Sequence, residues 1–244
     1  MRCAHNKNQT GFTLVEISIV MIIIGLLIGG TFGGMRLIEN MRVNKTVQDL
    51  KAIESAALTF KDTYGRLPGD IVNPASRLPN CTTAPCATGG NGNRQIGVQT
   101  WLESMISTDE QYTFWSHLQA SDLLSMGTKN TTDMNFGRGQ PKAPVGGGYR
   151  IYNWIARGIG PPGCITWIYT QGLMITGEAT GNGPNGPNAR LVKCSQIESI
   201  DRKIDDGMPL SGKTSAGGCN AVFTCGFPYT TSGSGILIYD FIGF

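Results

Sequence analysis

The amino-acid sequence predicts an α+β fold, in which one long N-terminal helix precedes a globular head with an antiparallel sheet and short helices. Three observations lead to this fold class. An uncharged apolar segment near the N-terminus runs into an amphipathic helical pattern, segments rich in β-branched and aromatic residues follow it, and the stretches between them are rich in glycine and proline. This order of elements fits a helix packed against a separate sheet.

The first helix begins in a segment that is long enough to cross a membrane. Residues 17–35 carry no charge, and as a helix they extend about 28 Å, close to the hydrocarbon thickness of a bilayer. An ordinary secretory signal has a shorter apolar core followed by an A-x-A-like cleavage site, which is missing here. We therefore expect this segment to be retained as an anchor.

The helical pattern continues beyond the apolar segment. Apolar side chains recur three or four positions apart and share one helix face, namely Val43, Val47, Leu50, Ile53, Ala57, Phe60 and Tyr64. Gly65 and Pro68 then supply a helix stop. The pattern predicts that one long helix ends near residue 65.

The elements of the head are shorter. Residues 109–126 predict one or two short helices with Asp109 as N-cap, and strands are predicted over residues 149–155, 164–175 and 236–244. A second amphipathic helix is predicted after the cap residue Asn188, before Gly207 ends it. Its apolar stripe is Leu191, Cys194, Ile197, Ile200 and Ile204.

The charge balance argues against nucleic acid as a main partner. The formal net charge is +3, and without Arg2 and Lys7 the chain has 18 basic against 17 acidic residues, or +1. A protein that binds nucleic acid by neutralising phosphates usually carries a strong basic excess.

The motif Gly11-Phe12-Thr13-Leu14-Val15-Glu16 stands between a short basic leader and the apolar helix. It resembles the class III signal of type IV prepilins and type II secretion pseudopilins. The resemblance implies that a prepilin peptidase cuts between Gly11 and Phe12 on the cytoplasmic side and methylates the new amine of Phe12. It also implies a type IV pilin-like fold whose apolar segment anchors the subunit and later forms a filament core.

With that cleavage, the predicted domains are a leader over residues 1–11, the membrane-spanning half of the long helix over 12–35, its amphipathic half over 36–65 and a globular head over 66–244. Three further segments resemble a subgroup of large bacterial prepilin-like proteins. They are Leu67-Pro68-Gly69-Asp70, Phe114-Trp115-Ser116-His117-Leu118 and the segment that runs from Ile200 to Gly207.

Glu16 is the first candidate for an assembly residue. A carboxylate within a membrane span costs about 2.5 to 3.5 kcal/mol at the helix centre, so such an acid is expected to have a partner. The resemblance implies that Glu16 pairs with the N-terminal amine of a neighbouring subunit. The alternative is that Glu16 lies among the lipid headgroups, where a charge costs little.

The resemblance implies a structural subunit of a type IV pilus or of a type II secretion-like pseudopilus. An adhesin-type minor pilin, whose head binds a surface or ligand, is the alternative, and an exported enzyme on an uncleaved anchor is a third possibility. The implied partners are prepilin peptidase, other pilin or pseudopilin subunits, the inner-membrane assembly platform and the membrane. The implied location is a single inner-membrane pass with a periplasmic head, or the cell exterior after assembly into a pilus.

Removal of Cys3 with the leader leaves an even set of six cysteines, which in an exported domain predicts disulfides. They are Cys81, Cys86, Cys164, Cys194, Cys219 and Cys225. Of 15 possible pairings, the short spacings favour Cys81 with Cys86 and Cys219 with Cys225, which leaves Cys164 with Cys194. A zinc site is the less favoured alternative, because the spacings are not CxxC-like and His117 is the only histidine beyond the leader.

No pattern in the sequence predicts an enzyme. A serine or cysteine nucleophile needs an adjacent base, and His117 lies in an apolar stretch that is typical of a packed or surface histidine. Asp201, Asp205 and Asp206 could hold calcium, but a solvated helix end with Arg202 and Lys203 as counter-charges is favoured. We expect no catalytic residue, no cofactor and no metal site.

Overall fold

The computed structural model describes residues 11–97, 105–152, 155–157, 166–168, 171–180, 188–209, 212–219, 229–230 and 232–241. The chain divides into two compact units, Met1–Met41 and Arg42–Phe244. The fold class is the predicted one, because a long N-terminal helix is followed by an antiparallel sheet and short helices.

The long helix, α1, covers Leu14–Tyr64, a stretch of 51 residues. It contains no proline, so every residue after the first turn can donate to the helical ladder. Gly65 ends it with a left-handed backbone at φ +68°, and its amide donates to the Lys61 carbonyl at 2.8 Å. The guanidinium of Arg77 also donates to the Tyr64 carbonyl at 2.8 Å.

The two units use this helix differently. Within Met1–Met41 the described apolar side chains of α1 are exposed, and the helix is long and apolar enough there to cross a membrane. From Val43 onward one face is buried, as the spacing predicts, and Leu50, Ile53 and Phe60 are fully buried. This face supplies one side of the core of the second unit.

Two short helices follow. α2 covers Pro74–Arg77 and α3 covers Glu110–Ala120, within the region predicted as helical. Asp109 stands at the N-cap position of α3, but its carboxylate accepts from the Ile106 amide at 2.8 Å rather than from an amide of the helix. The large apolar side chains of α3 are fully buried, including Trp115.

The main sheet has five antiparallel strands. β1 (Gly148–Tyr152), β4 (Gly172–Thr176), β7 (Ser234–Asp240) and β5 (Val192–Lys193) lie in the order β1-β4-β7-β5, and β6 (Thr214–Gly217) also pairs with β7. A separate pair joins β2 (Ile155–Arg157) to β3 (Thr166–Ile168). The predicted strand over 149–155 contains most of β1 and the first residue of β2, and the one over 164–175 contains β3 and most of β4. Residues 153–154, 164–165 and 169–170 of these predictions lie outside the described residues. The short strands β5 and β6 were not predicted.

The second amphipathic helix, α4, covers Cys194–Ile204, so its predicted start after Asn188 was wrong. Val192 and Lys193 pair with β7 opposite Gly235 and Ser234, which keeps the chain extended up to the helix. Leu191 is 53% exposed and does not belong to the buried stripe, whereas Cys194, Ile197 and Ile200 are fully buried.

The described residues include two disulfides. Cys81 pairs with Cys86, as the spacing predicts, but Cys194 pairs with Cys219. The predicted bonds of Cys194 with Cys164 and of Cys219 with Cys225 were therefore wrong, while Cys164 and Cys225 lie outside the described residues.

The physical reason for the second disulfide is the pairing of both neighbouring strands with β7. β5 leads directly into Cys194, and β6 ends just before Cys219. A Cβ atom added at Gly235 of β7 would lie 2.5 Å from the Cys219 sulfur. The sheet thus brings together two cysteines that are 25 positions apart.

Candidate functional site

The segment before α1 is held by reciprocal hydrogen bonds. The amide and the hydroxyl of Thr13 each donate to Oε2 of Glu16 at 2.8 Å, and the Glu16 amide donates to the Thr13 hydroxyl at 3.3 Å. This is a capping box, with Thr13 as N-cap and Glu16 three residues later. It turns the Glu16 carboxylate back toward the N-terminal end of the helix.

The capping box gives Glu16 a role in its own chain. A carboxylate at a helix N-terminus satisfies a backbone donor and interacts favourably with the helix dipole. We did not predict this contact from the sequence, although the spacing Thr13-x-x-Glu16 before an apolar run is typical of a capping box. The Glu16 carboxylate is therefore bound to Thr13, the residue that follows Phe12 at the predicted cleavage point.

The surroundings of the cleavage point are open. Phe12 is 85% exposed and Leu14 is 91% exposed. A Cβ atom added at Gly11 would meet no atom of the described residues within 4 Å. The described part of the chain therefore makes no demand for glycine at position 11.

His117 is a buried structural residue. Its Nδ1 accepts from the Gly69 amide at 2.8 Å, and its Nε2 lies 2.9 Å from the Cys86 carbonyl, to which it donates. Burial lowers the pKa of His117 to about 4, so the ring is neutral at pH 7. It joins the loop after α1 to the segment around the first disulfide.

Cys81, Cys86 and His117 have possible ligand atoms within 4.8 Å of one another. Both sulfurs are joined in the disulfide, and both ring nitrogens bond to the backbone. The disulfide and the two backbone bonds account for this group without a metal.

Asp201, Asp205 and Asp206 also lie within 4.8 Å of one another. The expectation of a solvated helix end was wrong for Asp201, which is fully buried and accepts from the hydroxyls of Thr214 and Tyr229. Burial raises the pKa of Asp201. Asp205 accepts from the amides of Lys213 and Thr214, so these acids hold the start of β6.

The expected counter-charges do not bind these aspartates as ion pairs in the described structure. Arg202 pairs instead with Glu198, one turn earlier on α4, at 2.6 Å. Among the described residues, the three aspartates accept hydrogen bonds from backbone amides and side-chain hydroxyls.

Comparisons with known proteins bear on the N-terminal segment. The family model described as the prokaryotic N-terminal methylation motif matches residues 6–32. The solved structure of the major Type IV pilin PilA1 from Clostridium difficile is similar at 15% identity, covering 84% of this chain and 98% of that chain, with a TM-score of 0.34. A TM-score of 0.34 is too low to support a conclusion from this similarity. No curated protein matches the chain in sequence. The chain therefore carries a prokaryotic N-terminal methylation motif, which reaches from residue 6 into the apolar part of α1.

Proposed function

We propose that this chain is a structural subunit of a type IV pilus or of a type II secretion-like pseudopilus. The observation that carries the proposal is the methylation motif over residues 6–32, which runs directly into an exposed apolar helix. A helix with this much exposed apolar surface needs lipid or other helices around it. A subunit that moves from a membrane into a filament is surrounded first by lipid and then by the helices of other subunits.

The proposal includes processing by prepilin peptidase between Gly11 and Phe12, followed by N-methylation of Phe12. The exposure of Phe12 and the open space around Gly11 support access by an enzyme. Because the fold itself does not require glycine at position 11, recognition by the peptidase gives a reason for that residue. The apolar segment would anchor the subunit in the inner membrane with the head on the periplasmic side.

Glu16 is proposed as the docking residue. Its carboxylate is held at the N-terminal end of α1 by Thr13, and the described contacts of that carboxylate are to neutral donors of the same chain. A cationic amine from a neighbouring subunit is a stronger partner for a carboxylate that enters an apolar filament core. On assembly, the Glu16 carboxylate then exchanges its capping hydrogen bonds for a bond to the amine, or adds that bond to them. No new charge is created.

The test is a set of matched variants whose processing and sheared-fibre yield are both measured. Glu16→Gln removes the charge but keeps a side-chain oxygen that can cap the Thr13 amide. Thr13→Ala keeps the charge and removes the hydroxyl. Glu39→Gln makes the same charge change elsewhere on the exposed part of α1 and serves as the control.

We expect Glu16→Gln and Glu16→Ala to be processed yet to lose about tenfold or more of the fibre yield, since a docking charge is missing. Thr13→Ala should lose less, and Glu39→Gln should resemble the parent protein. A normal fibre yield from Glu16→Gln would overturn the docking role. A loss in Thr13→Ala as deep as in Glu16→Ala would assign the defect to the capping box.

A further inference from the structure

A basic pocket lies where α1 ends, within the unit that begins at Arg42. It has a volume of about 360 Å³, and its described lining residues are Lys61, Gly65, Arg66, Leu67 and Arg94. Three of these are cations, and none of the lining residues that the structure describes is acidic. A concave surface lined by cations concentrates positive potential and favours an anionic ligand.

The backbone of Arg94 is unusual for its residue type. Among the described residues, five that are not glycine have a positive φ, and the other four are asparagine or aspartate, which tolerate this region. Arg94 has φ +69°. A strained residue of this kind persists only where its surroundings hold it, and such residues cluster at functional sites. An arginine thus stands at a position where the backbone conformation favours glycine.

Contacts on both sides hold Arg94 in this conformation. Its amide donates to Oδ2 of the fully buried Asp70 at 2.8 Å, and its carbonyl accepts from Nε2 of Gln171 at 3.0 Å. Glu110 accepts from the amides of Asn91 and Gly97 on either side of Arg94. The base of the Arg94 side chain is therefore fixed before any ligand arrives.

The second arginine is also oriented by this loop. Nη1 of Arg66 donates to the Gly92 carbonyl at 2.8 Å, which uses one of the five N–H donors of the guanidinium. The two carboxylates that hold the loop, Asp70 and Glu110, do so through its amides, and the three cations outnumber them. The oriented guanidinium of Arg66, together with that of Arg94 in the same pocket, suits an oxyanion, which can accept parallel hydrogen bonds.

We propose that this pocket binds the phosphate or sulfate group of a small ligand. Its volume falls at the lower end of the range for small-molecule sites, about 300 to 1,000 Å³, so a ligand the size of a sugar phosphate fits. Leu67 and the aliphatic stems of the basic side chains provide an apolar wall beside the anion site. The proposal does not depend on the filament role, since every residue involved belongs to the second unit.

The experiment titrates the full-length chain in non-ionic detergent with inorganic phosphate, sulfate, glucose 6-phosphate and glucose, by calorimetry at constant ionic strength. The central variant is Arg94→Gly, because glycine adopts the left-handed backbone without strain and leaves the fold intact. Lys51→Gln removes an exposed cation of α1 that does not line the pocket and is the control.

We expect saturable binding of the anions, none of glucose, and an affinity about tenfold or more lower in Arg94→Gly, as for a lost charge-assisted hydrogen bond. Lys51→Gln should stay within about twofold of the parent. Tighter binding of glucose 6-phosphate than of inorganic phosphate would show that the anionic group of the ligand is attached to a sugar. Failure of every anion to saturate, an unchanged affinity in Arg94→Gly, or an equal loss in both variants would overturn the proposal.

Discussion

Gly65 and Gly69 both have a left-handed backbone, at φ +68° and +88°, but their surroundings differ. A Cβ atom at Gly65 would meet no described atom within 4 Å, whereas at Gly69 it would lie 2.3 Å from the Glu110 carbonyl oxygen. Gly65→Ala should therefore lower the free energy of unfolding by only about 1 kcal/mol, which is the cost of a left-handed backbone for a residue with a Cβ atom. Gly69→Ala should cost roughly 1 to 3 kcal/mol more, because backbone must move.

Urea unfolding of a soluble fragment from Arg36 onward measures both losses, with Gly65→Ala as the matched control. Equal losses in the two variants would show that the loop around Gly69 yields to the added methyl group. The packing of α3 on this loop would then be looser than described.

The pH dependence of stability depends on His117. Burial holds the pKa of His117 at about 4 in the folded protein, against about 6.5 when unfolded. Below pH 6.5 the unfolded chain therefore binds a proton that the folded chain refuses, and stability falls as the pH drops toward 4. Between pH 7 and pH 5 the loss should be about 2 kcal/mol.

Urea unfolding of the same fragment at several pH values measures this loss. His117 is the only histidine after residue 11, so His117→Gln should remove most of the dependence above pH 5. A parent protein whose stability is flat from pH 7 to pH 5 would contradict the buried neutral histidine.

The local pattern around His117 is typical of a packed or a surface histidine, and it does not predict the partners of the ring. The Gly69 amide and the Cys86 carbonyl are 48 and 31 positions away in the chain. For Asp201 the local pattern was misleading, because its charged neighbours suggested solvent while the fold buries it against Thr214 and Tyr229. Long-range partners of polar residues depend on topology, which periodicity does not report.

At the scale of elements, the disulfide between Cys194 and Cys219 should stabilise the head more than the one between Cys81 and Cys86. Their sequence separations are 25 and 5, and chain entropy assigns them about 3.5 and about 2 kcal/mol. The longer link also joins the start of α4 to the end of β6.

The test compares melting temperatures of two variants of the fragment, Cys194→Ser with Cys219→Ser, and Cys81→Ser with Cys86→Ser. All four cysteines are fully buried, so the cost of burying serine hydroxyls is similar in both. The first variant should melt at the lower temperature. A lower melting temperature for the second would show that local packing around Cys81 and Cys86 outweighs loop length.

Long elements were easier to predict than short ones. α1 and the core of α3 follow from periodicity, because many residues repeat the same signal. β5 has two residues and β6 is the segment TSAG, so neither carries a pattern of alternating apolar side chains. Their pairing with β7 defines them, and that pairing also explains why α4 begins at Cys194 instead of after Asn188.

The whole molecule consists of a first unit with an exposed apolar helical segment and a second unit with its own hydrophobic core. The N-terminal methylation motif was predictable because the residues from Gly11 to Glu16 are contiguous. The basic pocket was not, since it joins Lys61 and Arg66 to Arg94 through a loop whose shape depends on Asp70 and Gln171.

We propose that this chain is cut after Gly11 and assembled as an N-methylated subunit. The most direct test is the intact mass of the protein extracted from membranes of cells that express prepilin peptidase, compared with cells that lack it. We expect a species that begins at Phe12 and carries one added methyl group, and that appears only with the peptidase. A species that retains Met1 in the presence of active peptidase, or one cut beyond Met35, would rule out the proposed processing.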